Sequence, residues 1–133
     1  LICDNWRNKL VKRQIIIKAG SVKAKAEIDD SKTADAIWKA LPIKGTTNLW
    51  GDEIYFEIPV ELKLENSKEL VSAGDLGYWP SGSCFCIFFG PTPMSRGEEI
   101  RPASAVNVFG KVTGDSKVFK QVKENESIMI ERA

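Results

Sequence analysis

Residues Cys84 to Phe89 read CFCIFF, six apolar side chains in succession, with Pro80-Ser81-Gly82-Ser83 before them and Gly90-Pro91-Thr92-Pro93 after. Turn formers on both sides limit the run to a length that suits a strand and not a helix. Side chains alternate across a strand, so Cys84, Cys86 and Phe88 share one face and Phe85, Ile87 and Phe89 the other. Neither face presents a polar group to water. The chain is therefore constrained to a fold in which this strand is covered on both sides, with Gly90 to Ser95 leaving it as an exposed loop because Pro91 and Pro93 cannot donate to a ladder.

Other segments show the period of two that marks half-buried strands. QIIIKAGSVKAKAEID, starting at Gln14, holds an apolar triple, an Ala-Gly-Ser turn, and then Val22, Ala24, Ala26 and Ile28 alternating with Lys23, Lys25 and Glu27. This predicts a hairpin with one wet face. Ile54, Phe56 and Ile58 alternate with Glu53, Tyr55 and Glu57, and Val60, Leu62 and Leu64 carry the pattern past Pro59, which marks an edge, a bulge or a bend. In that reading Asp52 is a turn residue and Glu53 faces solvent. Adjacent strand residues point to opposite sides, so the two carboxylates form no dyad. LGYWP predicts a further short strand, entered by Asp75 as a turn carboxylate on nearby backbone N–H groups. Val106, Val108 and Val112 fall on one face, with Gly110 the place for a sharp bend, and the tail predicts a short second helix or loop and a closing strand near Ser127 to Glu131.

One stretch breaks the period. DDSKTADAIWKALP offers Asp30 or Ser31 as an N-cap, sets Ala34, Ile37, Trp38 and Leu41 on one helical face, and stops at Pro42. It predicts an amphipathic helix over about 31–41. Short strands with one clear helix indicate a β-barrel or sandwich.

A length of 133 residues suits one domain, here 14–133, with 1–13 a leader of no clear period. The net charge of +1 supplies no electrostatic case for nucleic acid or an anionic membrane, and Lys9, Lys12 and Arg13 read as a solvated tail. No apolar run approaches the ~18 residues of a membrane span and no signal peptide is visible, so the expectation is a soluble, cytoplasmic protein. The chain contains no histidine. That excludes Ser-His-Asp and Cys-His catalysis and any histidine-held zinc or haem, and no cofactor or metal is predicted. Cys84 and Cys86, two apart on a strand, have Cα atoms about 6.6 Å apart, near the upper limit of disulfide geometry and bridged only with distortion, and read as buried thiols in preference to a partial metal or redox site.

The runs LWGDEIYFEIPVE, AGDLGYWPSGSCFCIFFGPTPMS and IRPASAVNVFGKV resemble the small prokaryotic and archaeal cyclophilin-like family. The resemblance covers the chain from about Gln14 onward. It implies a mainly β fold, a closed eight-stranded cyclophilin-like β-barrel smaller than that of true cyclophilins, in a family of unsettled biochemical function. SGSCFCIFF is similar to the Gly-Ser-Gln-Phe-Phe-Ile segment of cyclophilins. The arginine and phenylalanine signature around Phe-Met-x-Gln-Gly has no match, and the histidine of the proline pocket is missing.

Two functions fit these residues. Peptidyl-prolyl isomerisation needs no nucleophile, base or metal; it lowers part of a barrier of about 18–20 kcal/mol with an apolar slot and a donor to the twisted amide. Trp50, Tyr78, Trp79 and Phe85 are the candidate walls, and Arg101 and Asn107 the candidate donors, although an ion pair with Glu53 or Asp75 is the preferred reading of Arg101. Trp50 and Trp79 each adjoin a Gly or Pro where a strand gives way to a loop. There plugging the barrel is the first reading for each, and stacking on a ligand the second. The preferred reading is a non-enzymatic module binding a peptide or small molecule through an aromatic-rimmed pocket; the alternative is a weak isomerase. Neither reading sets the oligomeric state.

Overall fold

The computed structural model describes residues 13–133. Cys3, Lys9, Lys12 and the rest of the predicted leader lie outside them, whereas Arg13 already belongs to the first strand. Among these residues nine strands form one antiparallel sheet: β1 (Arg13–Ala19), β2 (Val22–Ile28), β3 (Ile43–Thr46), β4 (Asn48–Leu49), β5 (Glu53–Glu57), β6 (Asp75–Trp79), β7 (Cys84–Phe88), β8 (Asn107–Val112) and β9 (Ser127–Arg132). Their order is β3-β9-β1-β2-β8-β6-β7-β5-β4. The two outermost strands, β3 and β4, are one stretch of chain bent at Thr47, so the sheet rolls into a nearly closed barrel whose seam is covalent. The expected eight strands become nine through that bend. Buried Thr47 fixes it: its hydroxyl donates to the Lys123 carbonyl at 2.7 Å and accepts from the Glu126 N–H at 2.9 Å.

Inward-pointing residues alternate as the period of two requires. Ile15 and Ile17 of β1, Ala26 and Ile28 of β2, Ile54 and Phe56 of β5, Leu76 and Tyr78 of β6, and Phe85 and Ile87 of β7 fill one interior cluster. Helix α1 (Lys32–Ala40) adds Ala34 and Ile37 to it. Ser31 is its N-cap, accepting the Ala34 N–H at 3.1 Å, while Glu65 takes the N–H groups of Lys32 and Thr33. Such caps satisfy donors that the first helical turn leaves orphaned. The expected second helix is a 3-10 helix, Ser116–Gln121, which buries Phe119. Arg13 is no solvated tail. It donates to Asp35 at 3.2 Å and to the Asp29 carbonyl, and its guanidinium lies over the Trp38 ring, where that of Arg132 also packs.

Two readings of the strand pattern need correction. Val60 to Leu64 belong to no strand, and Leu64 is 59% exposed. Side chains hold this segment where a ladder is lacking: the Tyr78 hydroxyl donates to the Val60 carbonyl at 2.6 Å and accepts the Leu62 N–H at 3.1 Å. Asn107 donates to the Lys63 carbonyl and accepts the Glu65 N–H. Tyr78→Phe, which removes both Tyr78 bonds and leaves a buried carbonyl unpaired, is expected to destabilise by on the order of 2 kcal/mol. Urea unfolding checks this, and a change below measurement error would show that water replaces the hydroxyl. The second correction concerns β8. Gly77 and Leu76 of β6 pair with Val108 and Gly110, leaving Phe109 as an extra residue. This bulge flips the face, so Val106 and Val108 lie outside the barrel while Val112 joins the interior.

The outward face of β7 is covered as well, which accounts for its lack of polar side chains. Cys84, Cys86 and Phe88 pack with Ile100 and Val106 in a second apolar cluster. The chain around 68–71 and 100–106 makes this cover, tied together by bonds between Lys68 and Val106 and from Val71 to Ile100. No helix is long and apolar enough to cross a membrane among the described residues.

Candidate functional site

A hairpin turn places the first aromatic wall. Trp50 and Glu53 exchange backbone hydrogen bonds at 2.9 and 3.2 Å, closing a two-residue loop, Gly51-Asp52. Gly51 has φ +58°, the backbone that the first position of such a turn demands. A side chain there would also collide with Pro93 and the Pro91 carbonyl, because the Gly90–Ser95 loop packs on the turn. That loop is less open than expected: Thr92 is buried, and its hydroxyl donates to the Arg101 carbonyl.

Trp50 thereby stands at the edge of the outward face of β5, β7 and β6. Trp79, the last residue of β6, stands across from it. Its Nε1–H donates to Ser104 Oγ at 2.6 Å, and its ring lies so close over Gly82 that a Cβ there would meet it. Between the two tryptophans is a cavity of about 270 Å³ that Glu53, Tyr55 and Cys86 also line, with Pro102 on the covering segment. Glu53 is 6% exposed, and its Oε1 is fully buried without a hydrogen-bond partner. The expectation that Glu53 faces solvent is thus overturned. It points outward as the period of two requires, but the outward face is roofed. Burial raises its carboxyl from 4.5 to about 7, with the adjacent Cys86 thiol acting in the opposite direction. Burial likewise raises both thiols, with Cys86 well above its ordinary value and no disulfide between Cys84 and Cys86.

Of the residues singled out from sequence, the structure brings Trp50 and Trp79 together at this cavity and places the rest away from it. Tyr78 and Phe85 are inside the barrel; Phe85 stacks on Phe56 with ring centroids 5.2 Å apart and meets Phe109 edge-on. Asn107 is buried with its amide engaged on Thr33, Lys63 and Glu65. Arg101 pairs with Glu99, Nε to Oε2 at 2.7 Å, and not with Glu53 or Asp75. That partner holds Glu99 below its ordinary range and raises Arg101. Asp75 accepts the Ser72 N–H at 2.8 Å in a local turn. Among the described residues, no group of three or more Cys, Asp or Glu side chains is gathered as a metal site would require.

A cyclophilin-like family model matches residues 13–131. The chain belongs to the cyclophilin-like family. It is also similar to a hypothetical protein from Archaeoglobus fulgidus known from a solution structure, at 43% identity and a TM-score of 0.79, over 92% of this chain and 96% of that one. No curated protein matches. Within this cyclophilin-like barrel, Glu53 is the site residue that sequence reasoning missed. The available signal was its cross-strand partner, Phe88, on a strand with no wet face.

Proposed function

We propose that this cyclophilin-like protein is a binding module that holds a peptide side chain or a small molecule in the cavity between Trp50 and Trp79. The observation that carries the reading is the pairing of two tryptophan walls with a buried carboxyl, one oxygen of which has no hydrogen-bond partner, in one apolar recess. Sites of this kind combine mostly apolar lining with one or two polar groups that orient the ligand. The isomerase alternative lacks comparable support, because Arg101 is paired with Glu99 and every polar atom of the Asn107 side chain already has a protein partner.

Tetrapeptides with Leu, Pro or Lys at the second position, titrated against tryptophan fluorescence, are expected to give a saturable response from at least one. Trp50→Phe and Trp79→Phe should reduce that response about tenfold in affinity, roughly the loss of one aromatic contact. If the parent binds none of them and both variants lose stability, the rings are packing only and the reading fails.

A further inference from the structure

We propose that the cavity takes its ligand through a protonated amine, an ammonium group carrying at least one N–H, seated on the Glu53 carboxylate between the rings of Trp50, Trp79 and Tyr55. This rests on the reading of the cavity as a binding site and names the chemistry it selects. An ionised carboxylate only accepts hydrogen bonds. Glu53 Oε1 is out of water and receives none. The residues lining the cavity include no lysine or arginine, so a cationic partner for Glu53 must arrive with the ligand. A neutral apolar ligand would leave the carboxylate without a counter-charge, and an anion would meet like charge. An ammonium does the reverse on both counts, and tryptophan and tyrosine faces attract a cation through their ring quadrupoles. The size fits one side-chain end and not a long segment of peptide.

The protonation of Glu53 suits such a ligand. With its carboxyl raised to about 7, Glu53 is largely protonated in mild acid, and an ammonium arriving there displaces that proton to solvent. The titratable groups on this face are Glu53, Tyr55 and Glu57 of β5, Asp75 of β6, turned to the Ser72 N–H, and Cys84 and Cys86 of β7, with Asp52 at the turn; β6 and the covering segment bring none into the cavity. Both thiols are raised and stay neutral. A lysine ammonium keeps its proton up to pH ~10. Amine affinity should therefore fall as pH drops below 7.

The experiment compares N-acetyl-lysine methylamide with its norleucine and trimethyllysine counterparts, followed by tryptophan fluorescence at pH 8 and pH 5.5, on the parent and on Glu53→Gln. Lysine should bind about tenfold or more tighter than norleucine at pH 8, the scale of a charge-assisted hydrogen bond in a desolvated site. That preference should shrink by about tenfold at pH 5.5 and vanish in Glu53→Gln. Norleucine or trimethyllysine binding as tightly as lysine to the parent at pH 8 overturns the amine assignment and leaves the pocket reading standing. A preference unchanged in Glu53→Gln also overturns it. If no probe binds at millimolar concentration, the pocket reading itself falls, and this inference with it.

Discussion

Glu53→Gln is expected to leave stability near that of the parent at pH 4.5 and to exceed it by about 3 kcal/mol above pH 7, from a raised carboxyl at about 1.4 kcal/mol per pH unit. The folded state holds the Glu53 proton up to about pH 7, whereas the unfolded chain releases it near 4.5. Between those values the native protein binds more protons than the unfolded one, so its stability falls as pH rises. Burial of the charged form is the cause, and glutamine removes the charge while keeping the shape. Asp35, Glu65 and Glu99 are shifted the opposite way, by Lys39 and Arg13, by Thr33, and by Arg101 respectively. Their contributions are present above the ordinary carboxylate values and are lost as pH falls through the folded ones, a separate acid-side effect shared by parent and variant. Urea unfolding of both proteins from pH 4.5 to 8 reads the difference directly. Parallel curves would mean that Glu53 finds water or a counter-charge, and the buried-carboxylate account would be wrong.

Phe85→Ala should cost about 3–5 kcal/mol, the range for truncating a buried aromatic without collapse of the site. Phe85 is 0% exposed, lies on β7 between β5 and β6, and meets two other rings. Few neighbours can move into the space, because β7 is held by ladders on both sides. Chemical denaturation at neutral pH tests it, with Phe85→Leu as a milder control that retains most of the volume. A loss below 1 kcal/mol would return Phe85 to the pocket walls, where its truncation would weaken binding instead.

Much of the barrel was legible in the chain. The Gly20-Ser21 hairpin, α1 and β7 all follow from local signals that agree with tertiary structure, since the period of two or 3.6 and the turn residues point the same way. The candidate site was less legible. Alternation assigns Glu53 the correct face but cannot say what lies on it, because the cover comes from chain some fifteen and fifty residues further on that carries no period of its own. The partners of Arg101 and Asn107 were illegible for a related reason: Glu99 in a loop, and Thr33, Lys63 and Glu65 across the fold, are set by loop paths that no periodicity encodes. The Phe109 bulge similarly shifted Val112 to the interior without a glycine at the inserted position.

The position of β9 has a consequence for how the protein is made. It lies between β1 and β3, hydrogen-bonded to both, although those strands precede it by most of the chain. During synthesis the hairpin of β1 and β2 can form early, but one edge of β1 and the facing edge of β3 have nothing to pair with until residues 127–132 emerge. Pairing so distant in sequence is slow, and until it occurs those edges can join another chain. The interval before β9 arrives is therefore when this barrel is most open to misassembly, and substitutions in Ile128 or Ile130 should act there before they act on the finished fold.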